Sequence, residues 1–284
     1  PSRPFAGRPL HLASGKPNDN YPHPYDDPFN DDNNHLLSNP RSVSYPMTLN
    51  LKNRKYTITK FITLGSGEEI VYEGYYQDGN KMKEAIFKVY SGAVFFNHRY
   101  SPRMEYYNNE KKALSKLGRL IDVDEENMIL VMHKISGTTL KDMLRKIQTS
   151  MTEDDQDSRE ILKVLLQKYL RLPREFRQKW GMAHMDVYPG NVIVDENGDM
   201  HLINFAKSTE LKGNAQENRL ASNLDDLNAI LGASVQFNFP VEEDLLEKFE
   251  AAIHHYTSFD ENLSEKYENA LDFVIADDEL EFKN

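Results

Sequence analysis

Four polar side chains able to act on a ligand fall in one run of 23 residues, His184 to Ala206: His184, Asp186, Asn191 and Asn204. The run reads as a polar loop, an apolar strand from Val192 to Val194, an Asn197-Gly198 turn and a second strand from Met200 to Ile203. Asn-Gly accepts the positive φ angles of a tight two-residue turn, so the two strands are expected to form a hairpin. The open end of that hairpin gathers Asp186 and Asn191 on one side and Asn204 on the other. A carboxylate and two amides converging there suit a bound ion or a phosphate.

The elements that would hold the other half of such a site lie upstream. Tyr56 to Leu64 is β-branched and aromatic, Gly65-Ser66-Gly67 is a turn, and Ile70 to Tyr76 is a second strand. After the turn Gln77 to Asn80, Glu84 to Tyr90 is a third, and the three predict an antiparallel meander. Lys88 stands in the third strand, 23 residues after Gly65. A helix follows over residues 102–117, with Pro102 at its entry and Gly118 at its end. Met104, Tyr107, Ala113, Leu114 and Leu117 recur on it at roughly helical spacing, and Glu110 and Glu105 are its candidate functional acids. An acidic turn, Asp122 to Asn127, precedes a buried strand from Met128 to Met132 and the segment His133 to Gly137. The next helix is capped by Thr138 or Thr139 and runs through Ile147.

In order and spacing these residues resemble the protein kinase superfamily, whose loops read His-x-Asp-x-x-x-x-Asn followed by Asp-Phe-Gly. Asp186 to Asn191 is five residues and Asn191 to Asn204 thirteen, both matching that pattern. The resemblance implies an α+β, bilobal kinase-like fold. Its small antiparallel β lobe with one helix would cover residues 51–135, and its short, mainly helical lobe residues 136–284. It implies that Lys88 holds the α/β-phosphates of ATP, that Glu110 aims Lys88, and that Asp186 accepts the proton of a substrate hydroxyl. Leu64, Gly65, Ser66 and Gly67 would cover the phosphates, and Met132, His133 and Ile135 would contact adenine. Mg²⁺ or Mn²⁺ would sit on Asn191 and Asn204. His184 and Asp225, with Asp226 close behind, would brace the loop.

The chain departs from the family pattern where activity is at stake. Asn204 stands for the metal-binding Asp, and a neutral amide there faces a divalent ion that prefers charged oxygens. Ile70 sits near the place of the third glycine of the phosphate loop, Ala206 replaces the last glycine, and Met185 replaces an Arg. The Ala-Pro-Glu signature is absent. The resemblance then implies an ATP-dependent phosphotransferase acting on a protein hydroxyl with weakened metal binding. The alternative is a catalytically impaired pseudokinase serving as a binding or scaffold module. A third reading, a small-molecule phosphotransferase, follows from the Asp-x-x-Pro-Gly-Asn form of the loop.

The rest of the chain frames this site. Residues 1–50 are rich in Pro, Asn, Asp and Ser without an apolar period, and are expected to be a disordered arm or a docking peptide. Beyond an acidic loop at residues 149–158, a helix should start near Ser158 with Ile161, Val164, Leu165, Tyr169 and Leu172 on its apolar face. Pro173 should break or kink it, since an interior Pro costs about 3 kcal/mol, leaving a second piece from Arg174 to Trp180. A polar loop, Lys207 to Asn218, precedes a helix from Leu220 to Leu231 capped by Ser222 or Asn223. Amphipathic helices near residues 241–257 and 260–276 and an acidic tail complete the chain.

Composition narrows the partners. A net charge of -11 argues against a nucleic-acid or anionic-membrane surface as the main business. No run of ~18 apolar residues exists to span a bilayer. The absence of Cys removes disulfides, Cys-ligated zinc and a thiol nucleophile. The partners expected are a nucleotide and an unidentified protein, with the chain a monomer. A start at Pro1 reads as a processed or trimmed chain, with secretion and cytoplasmic residence equally open.

Overall fold

A computed structural model of the chain describes residues 44–52, 54–64, 69–90, 103–152 and 155–237. Most of the expected arm, Gly65 to Gly67 and the two helices expected beyond residue 240 lie outside the described residues. From sequence the arm runs to residue 50, but a strand, β1 (Met47–Leu51), already begins inside it. The reason is a two-residue apolar period: Met47, Leu49 and Leu51 point inward while Thr48 and Asn50 point out.

β1 pairs with β2 (Arg54–Leu64), which continues into β3 (Ile70–Asp78) and β4 (Lys81–Val89) as an antiparallel meander. Helix α1 (Arg103–Lys116) follows, buries Tyr107, Ala113 and Leu114, and ends at Gly118 with φ 64°. Met104, expected on its apolar face, is 55% exposed. β5 (Leu120–Asp124) and β6 (Ile129–His133) complete one six-stranded antiparallel sheet, ordered β1-β2-β3-β4-β6-β5. The acidic turn expected over residues 122–127 is therefore half strand. Asp122 is held in β5 by the Tyr56 hydroxyl at 3.0 Å, and Asp124 closes the shortened turn by accepting from the Asn127 N–H at 3.0 Å.

β7 (Thr138–Thr139) leads into α2 (Leu140–Ser150), whose cap is Thr139: its hydroxyl oxygen accepts from the Asp142 N–H at 3.1 Å. α3 (Gln156–Trp180) is one continuous helix of 25 residues, so Pro173 does not break it. Pro173 is itself buried, on the helix face that also buries Tyr169, Leu170 and Phe176, and burial of that face offsets the missing hydrogen bond. The apolar face is also rotated from expectation. Ile161 and Val164 are exposed, and Leu162, Leu166 and Leu170 take the core positions beside Leu165 and Tyr169.

β8 (Met182–Ala183) pairs with β11 (Thr209–Glu210), and between them lies the hairpin β9 (Val192–Val194) and β10 (Met200–Leu202). A single 3-10 turn, Pro189–Asn191, leads into β9, which also pairs with β7. α4 (Ala215–Phe237) starts five residues before the expected Leu220, because Asn214 caps it by accepting from the Glu217 N–H at 2.9 Å. Ser222, an expected cap, is interior and donates back to the Asn218 carbonyl at 2.8 Å. Among the described residues no helix is long and apolar enough to cross a membrane.

The architecture is thus mixed α+β: an antiparallel sheet, then helices. One face of the sheet buries its own aromatic core around Tyr56, Tyr72 and Phe87. The other face shares a larger core with α1 and the helical half. Gly74 makes the close β2–β3 approach possible, since a Cβ there would stand 2.1 Å from the Thr57 carbonyl oxygen and 2.9 Å from the Ile58 Cα. Backbone atoms cannot yield as a side-chain tip can. Gly74→Ala should therefore lower the unfolding free energy by about 2–3 kcal/mol in urea titration, as overpacking of a tight contact does.

Candidate functional site

The two-residue period of β4 decides where Lys88 points. Ala85, Phe87 and Val89 fill the outer core, so Lys88 and Tyr90 face α1. There α1 presents Glu110, fully buried, and both of its oxygens accept from Lys88 Nζ at 2.8 Å. Glu105 is exposed. The Glu110 carboxylate also accepts from the Tyr90 hydroxyl, and from the Phe205 N–H at 3.3 Å. Burial, reinforced by the Glu110 charge, pushes the Tyr90 hydroxyl well above the usual phenol range and keeps it a donor. A buried ion pair is retained when further hydrogen bonds satisfy it in this way.

The third hydrogen of Lys88 goes to Asn204 Oδ1 at 2.9 Å. An ammonium only donates, so Asn204 must turn its oxygen to Lys88 and its amide nitrogen away. That nitrogen donates to Asn191 Oδ1 at 3.3 Å. Asn191 in turn donates to the Asp186 backbone oxygen at 2.9 Å and to its Oδ2 at 3.1 Å. Lys88 thereby sets the polarity of a relay that ends on Asp186. The remaining Asp186 oxygen accepts from Lys207 Nζ at 3.0 Å.

Local backbone geometry aims these groups. Asn204 has φ 65°, a left-handed conformation that Asn tolerates better than most residues. Phe205 is thereby sent inward, its ring centroid 5.7 Å from that of Phe176 and 5.0 Å from His184. His184 is fully buried, its Nε2 bonds the Ile203 carbonyl at 2.8 Å, and its Nδ1 accepts from the Asp186 N–H at 3.3 Å. Burial drives its pKa down to about 4, so the ring is neutral and joins the two strands' approach to the site. Met185 has φ 64° and is held there from α4: Asp225 Oδ1 accepts its N–H at 2.8 Å, and Asn228 donates to its carbonyl at 3.0 Å. Arg177 of α3 steadies α4 by reaching Asp225 at 2.9 Å and Asp226 at 2.7 Å. Burial still lifts Asp225 to about 6, against the pull of Arg177.

A cavity of about 420 Å³ lies between the sheet and the hairpin, within the size range of small-ligand sites. Leu64, Lys88, Met132, His133 and Ile135 line it on the sheet side, and Asn191 and Asn204 on the hairpin side. The His133 N–H is taken by the Arg119 carbonyl at 3.0 Å, and Lys134 is tied to Glu73 and Glu84. Ile70, which sits near the place of the third glycine of the phosphate loop, turns into the outer core with Tyr72. Glu69 takes the place on the cavity wall. Glu69, Tyr90, Lys207 and Arg177 were not among the residues singled out from sequence. Tyr90 was within reach, since it shares the face of Lys88 two residues on. Lys207 and Arg177 act across the fold and carry no local signal.

The donors present are weak ones for a divalent cation. Both amide oxygens that would face one are uncharged, and each already accepts one hydrogen bond, from Lys88 and from Asn204. Among the described residues no three His, Asp or Glu side chains gather in a way that could hold a metal ion.

No family model matches the chain. Over 98 residues, 34% of the chain, it is 29% identical to human serine/threonine-protein kinase 32B, and the match covers 22% of that kinase. This is a distant, partial similarity, and it suggests membership of the kinase-like superfamily.

His184 supplies a pH test of the site's packing. Its folded pKa of about 4 lies below the reference 6.5, so its contribution is complete above pH 6.5 and is lost as pH falls toward 4. Across that window the stability advantage of the native chain over His184→Gln should shrink by up to about 3 kcal/mol, as read from urea midpoints at several pH values.

Proposed function

We propose that the chain is a kinase-like nucleotide-site protein of the pseudokinase kind, a binding or scaffold module with little or no phosphoryl transfer. The observation that carries this reading is the Lys88–Asn204 hydrogen bond of 2.9 Å. It occupies an uncharged side chain where the kinase pattern has a metal-binding carboxylate. Magnesium is held through carboxylates and phosphates, and removing one full charge beside it costs on the order of several kcal/mol of metal affinity. Phosphoryl transfer depends on charge neutralisation at that point more than on any covalent help. Met132, His133 and Ile135, the residues that would contact adenine, line the cavity.

A second reading, transfer from ATP to a protein hydroxyl, is favoured by the intact Lys88–Glu110 pair and by the orientation of Asp186 through Asn191. Under it, Asp186 would accept the hydroxyl proton and Lys88 would hold phosphate oxygens. The similarity to a serine/threonine-protein kinase is compatible with both readings.

Labelled ATP distinguishes them. With Mg²⁺ or Mn²⁺ the native chain should transfer no label to itself or to a generic protein acceptor. Asn204→Asp restores the missing charge and cannot donate to Asn191, freeing that amide oxygen. It should gain transfer that Asp186→Ala removes. Robust turnover by the native chain, abolished by Asp186→Ala, would establish the second reading.

A further inference from the structure

Two buried side-chain atoms find no hydrogen-bond partner among the described residues, the Tyr45 hydroxyl and Glu69 Oε2, and only Glu69 borders the cavity. Glu69 stands at the entrance to β3, is 1% exposed, and holds its Oε1 3.6 Å from Lys88 Nζ. It comes no closer because the three ammonium hydrogens already serve Glu110 and Asn204. One positive charge therefore faces two carboxylates. Asp186 is matched by Lys207 at 3.0 Å, and the Arg119 guanidinium, which also lines the cavity, keeps its charge while donating to the Leu202 carbonyl at 2.6 Å.

A buried carboxylate oxygen left unsatisfied is costly, and it accepts a donor readily. We propose that Glu69 fills the position where an anionic phosphate would meet Lys88, so that the cleft selects an uncharged ligand of the purine-nucleoside class over nucleotides. A phosphate entering beside Lys88 meets two carboxylates around one ammonium and must displace an existing partner of Lys88. A nucleoside brings no charge, and its hydroxyl and amino groups are the donors that Glu69 Oε2 lacks. The selectivity rests on the reading of the cavity as a nucleotide-type site.

Titration calorimetry with adenosine and ATP, in EDTA and in Mn²⁺, on the full chain and on Glu69→Gln tests it. The native chain should bind adenosine at least about tenfold more tightly than ATP, the scale expected for one like charge held close in a partly dry site. In Glu69→Gln the ratio of adenosine to ATP affinity should fall by about tenfold or more. Glu69→Ala should shift the ratio the same way, and thermal melting confirms that each variant is folded. Tighter ATP than adenosine binding in EDTA, unmoved by either substitution, would overturn the proposal. A gain in ATP affinity with Mn²⁺ that Glu69→Gln abolishes would overturn it too, making Glu69 a cation ligand. Failure of both ligands to bind any folded variant would bring down the nucleotide-site reading itself, and the selectivity with it.

Discussion

Lys88 has one charge and three hydrogens, and the chain's own groups engage all of them. Two hydrogens go to Glu110 at 2.8 Å and one to Asn204 at 2.9 Å, with Glu69 adding a further negative charge at 3.6 Å. Much of the surrounding structure serves that arrangement. The pleat of β4 turns Lys88 inward, α1 brings Glu110 to it, and the Phe205 N–H and Tyr90 hydroxyl satisfy the rest of the Glu110 carboxylate. Below, the left-handed Asn204 and the stacking of Phe205 on Phe176 and His184 bring the hairpin loop up to the lysine.

This arrangement separates geometry from electrostatics. The bonds that would orient Asp186 are present, passed down through two amides whose polarity Lys88 dictates. The field is different. A carboxylate at residue 204 would accept from Lys88 and leave Asn191 free to face a cation, whereas the amide both accepts from Lys88 and donates to Asn191. One nitrogen in place of one oxygen thus closes the relay on itself. Phosphates favour an electropositive end to a cavity, and Glu69 adds a second carboxylate beside the single charge of Lys88. On the proposed reading, the cleft keeps its shape and lacks the charge distribution that phosphoryl transfer needs.

Much of this was legible in the sequence because local physics states it strongly. The Asn197-Gly198 hairpin and the meander follow from turn chemistry, and Lys88, Asp186, Asn191 and Asn204 were singled out by their resemblance to the kinase pattern. What was not legible depended on partners far away in the chain. The Pro173 signal is locally correct, yet its burial on the same face of α3 as Tyr169 and Phe176 overrides it. Apolar residues cover more than one stripe of α3, so periodicity alone could not choose between Ile161 with Val164 and Leu162 with Leu166. Asn214 outcompetes Ser222 as a cap because it stands first in line before a run of helix formers. Glu69 carried no signal of its own: it lies just before β3, with Ile70 in the core and Glu69 on the cavity wall.

On the proposed reading the cleft gains nothing from a divalent cation, because the oxygens that would hold one are uncharged and already accept from Lys88 and Asn204. Calorimetric titration of the native chain with ATP, once in excess EDTA and once in excess Mg²⁺, measures this directly. The account predicts affinities within about threefold of each other. An affinity about tenfold or more higher with Mg²⁺ would contradict it.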